Sequence, residues 1–135
     1  MKQITTRTAK IRYDRNQILI IKILNGIKMD YEDAADNILV VRHLTEDNPC
    51  LKLIDSRADF IIERKAQKFL ESKEVKKKTR ARAIVVTGKM KKLLLSFFYS
   101  LNTNKAPAKI FTDYHKAYEW LLSLRESDTP PNPRP

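Results

Sequence analysis

Hydrophobic and polar positions along the chain follow two alternating periods. Over residues 9 to 13, Ala9, Ile11 and Tyr13 fall on one side and Lys10 and Arg12 on the other, which predicts a strand with one wet face. A polar turn, Asp14 to Asn16, leads into Gln17 to Leu24, where Ile18, Leu19, Ile20, Ile21 and Ile23 predict a more buried strand completing a hairpin. Asn25-Gly26 ends it. Asp30 can cap a helix whose Tyr31, Ala34, Ala35, Ile38, Leu39 and Arg42 share a face, and Asn48-Pro49 breaks the pattern. Leu51 to Ile54 predicts a third strand closing in Asp55-Ser56-Arg57.

A second helix is expected from about Ile61 to Ser72, with Ile62, Ala66, Phe69 and Leu70 inward and Glu63, Arg64, Lys65, Lys68 and Glu71 outward. Lys73 to Arg82 reads as a basic loop. It feeds Ala83, Ile84, Val85 and Val86, an unalternating run that predicts a central strand covered on both faces. After Gly88, the spacing of Met90, Leu93, Leu94, Phe97, Phe98 and Leu101 predicts a third helix. A connection with Pro107 precedes a short strand, Lys109 to Thr112. Asp113 then caps a last helix with Tyr114, Ala117, Tyr118, Leu121 and Leu122 on one face and Trp120 beside it.

The order is β–β–α–β–α–β–α–β–α. It implies a single α/β domain over residues 1 to 126: a mostly parallel mixed sheet of about five strands with an N-terminal antiparallel hairpin and four helices. The tail from Ser127, with four prolines in nine residues, is expected to be disordered.

Length and composition agree with one core: 135 residues, 42% of them hydrophobic. No run approaches the roughly 18 to 20 apolar residues of a membrane span, and the start lacks a secretory apolar segment, so a cytoplasmic location is expected. The single cysteine, Cys50, has no internal disulfide partner and reads as a small buried hydrophobe. The net charge of +11 is concentrated. Residues 63 to 92 hold 12 Lys/Arg against 3 Asp/Glu, whereas the flanking regions are nearly balanced.

Local sequence resembles the STAS-like domains, the fold of the anti-sigma-factor antagonists and of the cytoplasmic part of sulfate transporters, and in particular their small stand-alone bacterial relatives of unassigned function. The carriers are LKLIDSRADF (Leu51 to Phe60), SFFYSLN (Ser96 to Asn102) and KIFTDYHKAYEWL (Lys109 to Leu121), within a likeness spanning roughly residues 9 to 124. With the element order and the lack of a catalytic set, the resemblance leads to the expectation of a non-catalytic regulatory domain that binds a protein partner, through a surface made of the second helix, Glu63 to Ser72, its neighbouring strand end and the basic loop. In the antagonists a phosphorylated serine opens the helix after the third strand; here Glu63 and Arg64 occupy that place and the acceptor is missing. Ser56 is the nearest hydroxyl, and Asp55-Ser56 is equally explained by local turn bonding.

Candidate chemistry is sparse. Ligands of open α/β sheets collect outside the carboxyl ends of the strands, which makes Asp55, Ser56, Arg57, Thr87, Gly88 and Lys89 the candidate ligand or anion rim. Thr87-Gly88-Lys89 could present free N–H groups to an anion, but it is no P-loop, since Met90 follows the lysine. His43 and His115 lie at the ends of different helices, no GxSxG motif accompanies them, and no short His/Cys spacing suggests zinc. Asp30 and Asp33 read as capping residues. No catalytic residue, cofactor or metal is therefore expected. The alternative function is polyanion or nucleic-acid binding by Lys73, Lys76, Lys77, Lys78, Arg80, Arg82, Lys91 and Lys92, a patch without interleaved aromatic platforms. The sequence leaves the partner's identity and the oligomeric state, a homodimer included, open.

Overall fold

The computed structural model describes residues 2–91 and 107–128, with side chains described as far as residue 126. Its strands are β1 (Gln3–Thr5), β2 (Ala9–Tyr13), β3 (Ile18–Ile23), β4 (Ile27–Met29), β5 (Cys50–Asp55), β6 (Phe60–Ile62), β7 (Thr79–Val85) and β8 (Ala108–Phe111). The helices are α1 (Tyr31–Thr45), α2 (Arg64–Leu70), α3 (Lys73–Lys77) and α4 (Tyr114–Asp128). Most of the helix expected from Met90 lies outside the described residues; its opening turn is present at 88–91, as is Pro107 before β8. The Pro-rich tail is likewise outside them, beyond Asp128.

Six strands form the main sheet in the order β1-β2-β3-β5-β7-β8. The first three are antiparallel, and β3, β5, β7 and β8 run parallel. The mixed α/β domain expected from the two periods is thus present, with β7 inside the sheet between β5 and β8. A separate parallel pair, β4 with β6, sits beside it.

Because strand side chains alternate faces, the sheet has two distinct cores. On one face Ile18, Ile20, Leu51, Leu53, Ala81, Ala83 and Val85 meet Ala117 and Leu121 of α4, with Phe111 and Trp120 tilted against each other at 5.7 Å. On the other, Ala9, Ile11, Leu19 and Cys50 meet Val41 of α1. Met29, Ala34 and Ala66 join α1 to β4 and α2.

Three expectations change. The region read as one helix from Ile61 to Ser72 is split: Ile61 and Ile62 pair with β4 in β6, and α2 begins only at Arg64. β-Branched Ile61-Ile62 fits an extended pair better than a first helical turn. The basic loop is also ordered, because Ser72 caps Val75 N and starts α3, and β7 begins at Thr79. Finally, the buried face of α1 is rotated from the apolar stripe. It carries Asp33, Ala34, Asn37, Val41 and Thr45, whereas Leu39 is 61% exposed.

Polar bonding explains that rotation. Asn37 donates to Thr8 Oγ1 at 2.9 Å and its Oδ1 accepts from Thr6 at 2.6 Å, while Arg7 pairs with Asp33 through both nitrogen branches. The β1–β2 turn is therefore fastened to α1 by hydrogen bonds that an apolar count does not register. Asp30 and Asp33 form a reciprocal capping box at the same end.

Candidate functional site

The carboxyl ends of β3, β5, β7 and β8 share one edge, since these strands are parallel and adjacent. At that edge Asp55, 5% exposed, accepts two bonds of 2.9 Å from the guanidinium of Arg57. Burial pushes the Asp55 carboxyl upward, but the Arg57 bonds and charge, with help from Lys22 on the neighbouring strand, outweigh it and hold the carboxyl below its ordinary value. The Arg57 guanidinium also lies 5.6 Å from the Tyr114 ring centre. Ser56 N donates to Val85 O at 2.8 Å, which fixes the half-buried serine in the link between β5 and β7.

The other half of the rim is a helix cap. Thr87 Oγ1 accepts from Met90 N at 3.4 Å and Thr87 O accepts from Lys91 N at 3.0 Å, so Thr87 caps the turn that follows it. A Cβ on Gly88 would meet nothing within 4 Å, so no close approach demands glycine there. Gly26 differs: its φ of +76° needs glycine, and its N–H donates to Asp59 O at 2.6 Å. Asp55 and Arg57 are brought together, whereas Thr87, Gly88 and Lys89 form an exposed turn beside them.

The predicted polyanion patch is distributed over α3, β7 and the turn at 88–91, with Lys92 outside the described residues. Several of its charges are engaged. Lys76 and Arg82 both approach Glu71, at 3.2 and 3.4 Å, and Lys78 lies 3.6 Å from Asp47. Lys73, Lys77, Arg80 and Lys89 are exposed. Net attraction for phosphates is reduced by each local carboxylate.

Glu63 and Arg64 stand at the start of α2. Glu63 is the residue before the helix, without a side-chain cap bond, and its N–H donates to Met29 O at 2.9 Å. Cys50 is 2% exposed and burial pushes its thiol up, as expected of a structural cysteine. His43 lies in the last turn of α1, and His115 pairs with Glu119 at 2.7 Å on the exposed side of α4. Among the described residues no group of three His, Cys, Asp or Glu side chains could hold a metal ion.

One residue that sequence reasoning missed is Lys52. It lies in the middle of β5, between Leu19 and Arg82 on the neighbouring strands, and is only 4% exposed. Its signal was present, because a lysine within LKLI breaks an otherwise apolar strand flanked on both sides by parallel neighbours.

The mixed sheet, its N-terminal hairpin and the helices on its two faces define a SpoIIAA-like, that is STAS-like, α/β domain. The likeness is borne out by the crystal structure of an uncharacterized protein from the DUF3478 family of Shewanella loihica PV-4, which has a SpoIIAA-like fold. It superposes with a TM-score of 0.66 at 18% sequence identity, covering 90% of this chain and 99% of that one. The chain itself belongs to the family described as Domain of unknown function (DUF7793), whose model matches residues 11–125. Comparison with curated proteins returns no match. No helix among the described residues is long and apolar enough to cross a membrane.

Proposed function

We propose that this protein is a non-catalytic, cytoplasmic regulatory domain that acts by binding a protein partner. The observation that carries the reading is the SpoIIAA-like fold spanning nearly the whole chain. The surface chemistry of α1, β6 and α2 supports it. Ile61 is 62% exposed and Tyr31 48% exposed, with Tyr31 set edge-on to Phe69 of α2 at 5.2 Å. Exposed Arg64, Lys65 and Lys68 follow on α2. Exposed apolar side chains rimmed by charge suit a partner contact better than a solvated surface.

The test is affinity capture of the full chain from its native cells, with Ile61→Glu and Arg64→Glu run in parallel, followed by titration of the recovered partner in purified form. A partner retained by the wild type and weakened at least about tenfold by both substitutions supports the reading. Turnover of a metabolite that depends on Asp55 or Lys89 would sink it. The polyanion alternative is separated by a heparin salt series. Elution at low salt, unaffected by changing Lys73 and Lys77 to Glu, removes that alternative.

A further inference from the structure

The cations on the helical side formed by α1 to α3 divide into two groups. Those from the end of α1 through α3 to β7 are largely matched: Arg42 meets Asp47 at 3.1 Å and Glu74 at 3.6 Å, Lys78 meets Asp47, and Lys76 and Arg82 share Glu71. The cations of α2 are not. Arg64, Lys65 and Lys68 are exposed, and none of their side chains forms a hydrogen bond or ion pair among the described residues. Glu63, just before the helix, is taken by Lys28 at 3.4 Å, and exposed Glu32 and Asp36 of neighbouring α1 form no ion pair with them.

Helical spacing puts the three cations together. Arg64 and Lys68 stand about one turn apart with Lys65 between them, on the side of α2 away from buried Ala66. Like charges so placed repel, a cost to the helix that no carboxylate among the described residues offsets. Apolar side chains border the stripe. Exposed Ile61 lies in β6, which runs directly into α2, and exposed Tyr31 packs edge-on against Phe69, the residue after Lys68.

What fits this surface brings negative charge for the stripe and an aliphatic group for Ile61. A nucleic-acid backbone fits it less well. It draws on a continuous track of unmatched cations, and the track from α2 towards β7 is interrupted by Glu71, Glu74 and Asp47, each already paired with a neighbouring cation. Ile61 also offers no plane on which a base could stack. We propose, resting on the protein-binding reading above, that the partner docks on α2 through an acidic segment bearing an aliphatic side chain, its carboxylates set against Arg64, Lys65 and Lys68 and its aliphatic group against Ile61. The charged contacts govern encounter and salt response, and the Ile61 contact supplies the part that salt does not screen.

The experiment titrates full-length protein into a fluorescein-labelled peptide of interspersed glutamate and leucine and follows its anisotropy. Comparators are the same peptide with lysine for glutamate, a polyglutamate without leucine, single-stranded DNA of equal charge, and phosphatidylglycerol vesicles. The expected result is saturable binding that weakens with salt, by at least about tenfold in the triple variant Arg64→Glu, Lys65→Glu, Lys68→Glu and by at least about threefold in Ile61→Ser. The triple variant should instead take the lysine peptide, a reversal that an unfolded chain would not show in saturable form. No saturable binding of the glutamate–leucine peptide overturns the proposal, as does a triple variant that binds it as the wild type does. Equal affinity for polyglutamate overturns it by making the aliphatic group dispensable. Tighter binding of DNA or of vesicles, lost in the triple variant, overturns it by assigning the surface to nucleic acid or to a lipid surface. Should the peptide fail while a partner recovered from native cells is still held and still weakened by Ile61→Glu, the protein-binding reading stands and the acidic segment alone falls.

Discussion

The two faces of the sheet are built from the same strands yet solve different problems. The face under α4 is filled by branched aliphatics, alanines and aromatics, with Leu121 fully buried at its centre. The face under α1 to α3 holds a similar apolar patch but also Asp33, Asn37, Lys52 and the Glu71–Arg82 pair. Packing accounts for the first face except at its edge, where buried Asp55 is matched by Arg57 beside Tyr114 of α4. On the second, each buried polar group is either matched by hydrogen bonds, as at Asn37, or left without a partner among the described residues, as at Lys52. The difference implies that the α4 face serves stability, while the opposite face gives up stability at a buried cation.

The largest test of that contrast is Leu121→Ala. It removes a fully buried side chain among Leu51, Leu53 and Val85 and is expected to cost about 2–5 kcal/mol by chemical denaturation. A cost below about 1 kcal/mol would mean that α4 packs loosely and that the two faces are not distinct in this way.

The second test has the opposite sign. Lys52→Met replaces an uncompensated buried cation by an apolar chain of similar length and is expected to raise stability by roughly 1–3 kcal/mol at neutral pH. The pH dependence follows from the direction of the shift. With burial holding the folded-state pKa of Lys52 below that of the unfolded chain, the unfolded state binds more protons between the two values. The burial cost is therefore complete below the folded-state pKa and is relieved as pH rises towards that of a free lysine. Subtracting the Lys52→Met curve isolates this rise from Tyr13 and Tyr118, whose phenols are pushed the other way chiefly by burial.

Asp33 supplies the matched counterpart. The Arg7 side-chain bond, aided by Asp30 N–H, outweighs burial and holds its carboxyl at about 2. This depressed pKa adds stability that is present above the unfolded value near 4 and is lost as pH falls from there towards 2. Asp33→Asn is expected to lower stability by on the order of 1–2 kcal/mol at pH 7 and to flatten the acid limb of a denaturation series. An unchanged acid limb would show that Arg7 and Asp33 are not coupled in solution.

The pattern of success in the sequence reflects the same contrast. The hairpin β2–β3, the strands β5 and β8, and both long helices were legible because an apolar period of two or 3.6 sufficed to define them. The short β1, β4 and β6 were not, since strands of three residues are too short to show a period and owe their form to pairing, β1 with the neighbouring β2 and β4 with the distant β6. Capping logic found Asp30 and Asp113 but could not reveal that Asp33 also holds Arg7, because that partner comes from the β1–β2 turn. At the candidate rim the strand-end rule placed Asp55 beside Arg57. Lys52 escaped because reading LKLI as a strand gave its identity but not the helices that would cover it.

The smallest expected effect probes whether the charges under α1 to α3 form one system. Glu71 is the carboxylate shared by Lys76 and Arg82, and Arg82 is the strand neighbour of Lys52. Glu71→Gln leaves Arg82 without its counter-charge beside a second buried cation. At a site whose side chain is 24% exposed, a loss of about 0.5–1 kcal/mol is expected. In the Lys52→Met background the same change should cost less, because one member of the like-charged pair is gone. A double-mutant cycle reads the difference as a coupling energy of a few tenths of a kcal/mol. Coupling of zero would mean that solvent screens Arg82 from Lys52, and the amine would then have to be treated as an isolated buried charge. Coupling of the expected sign would instead make Glu71 and Arg82 the residues through which charge on α3 reaches the buried lysine.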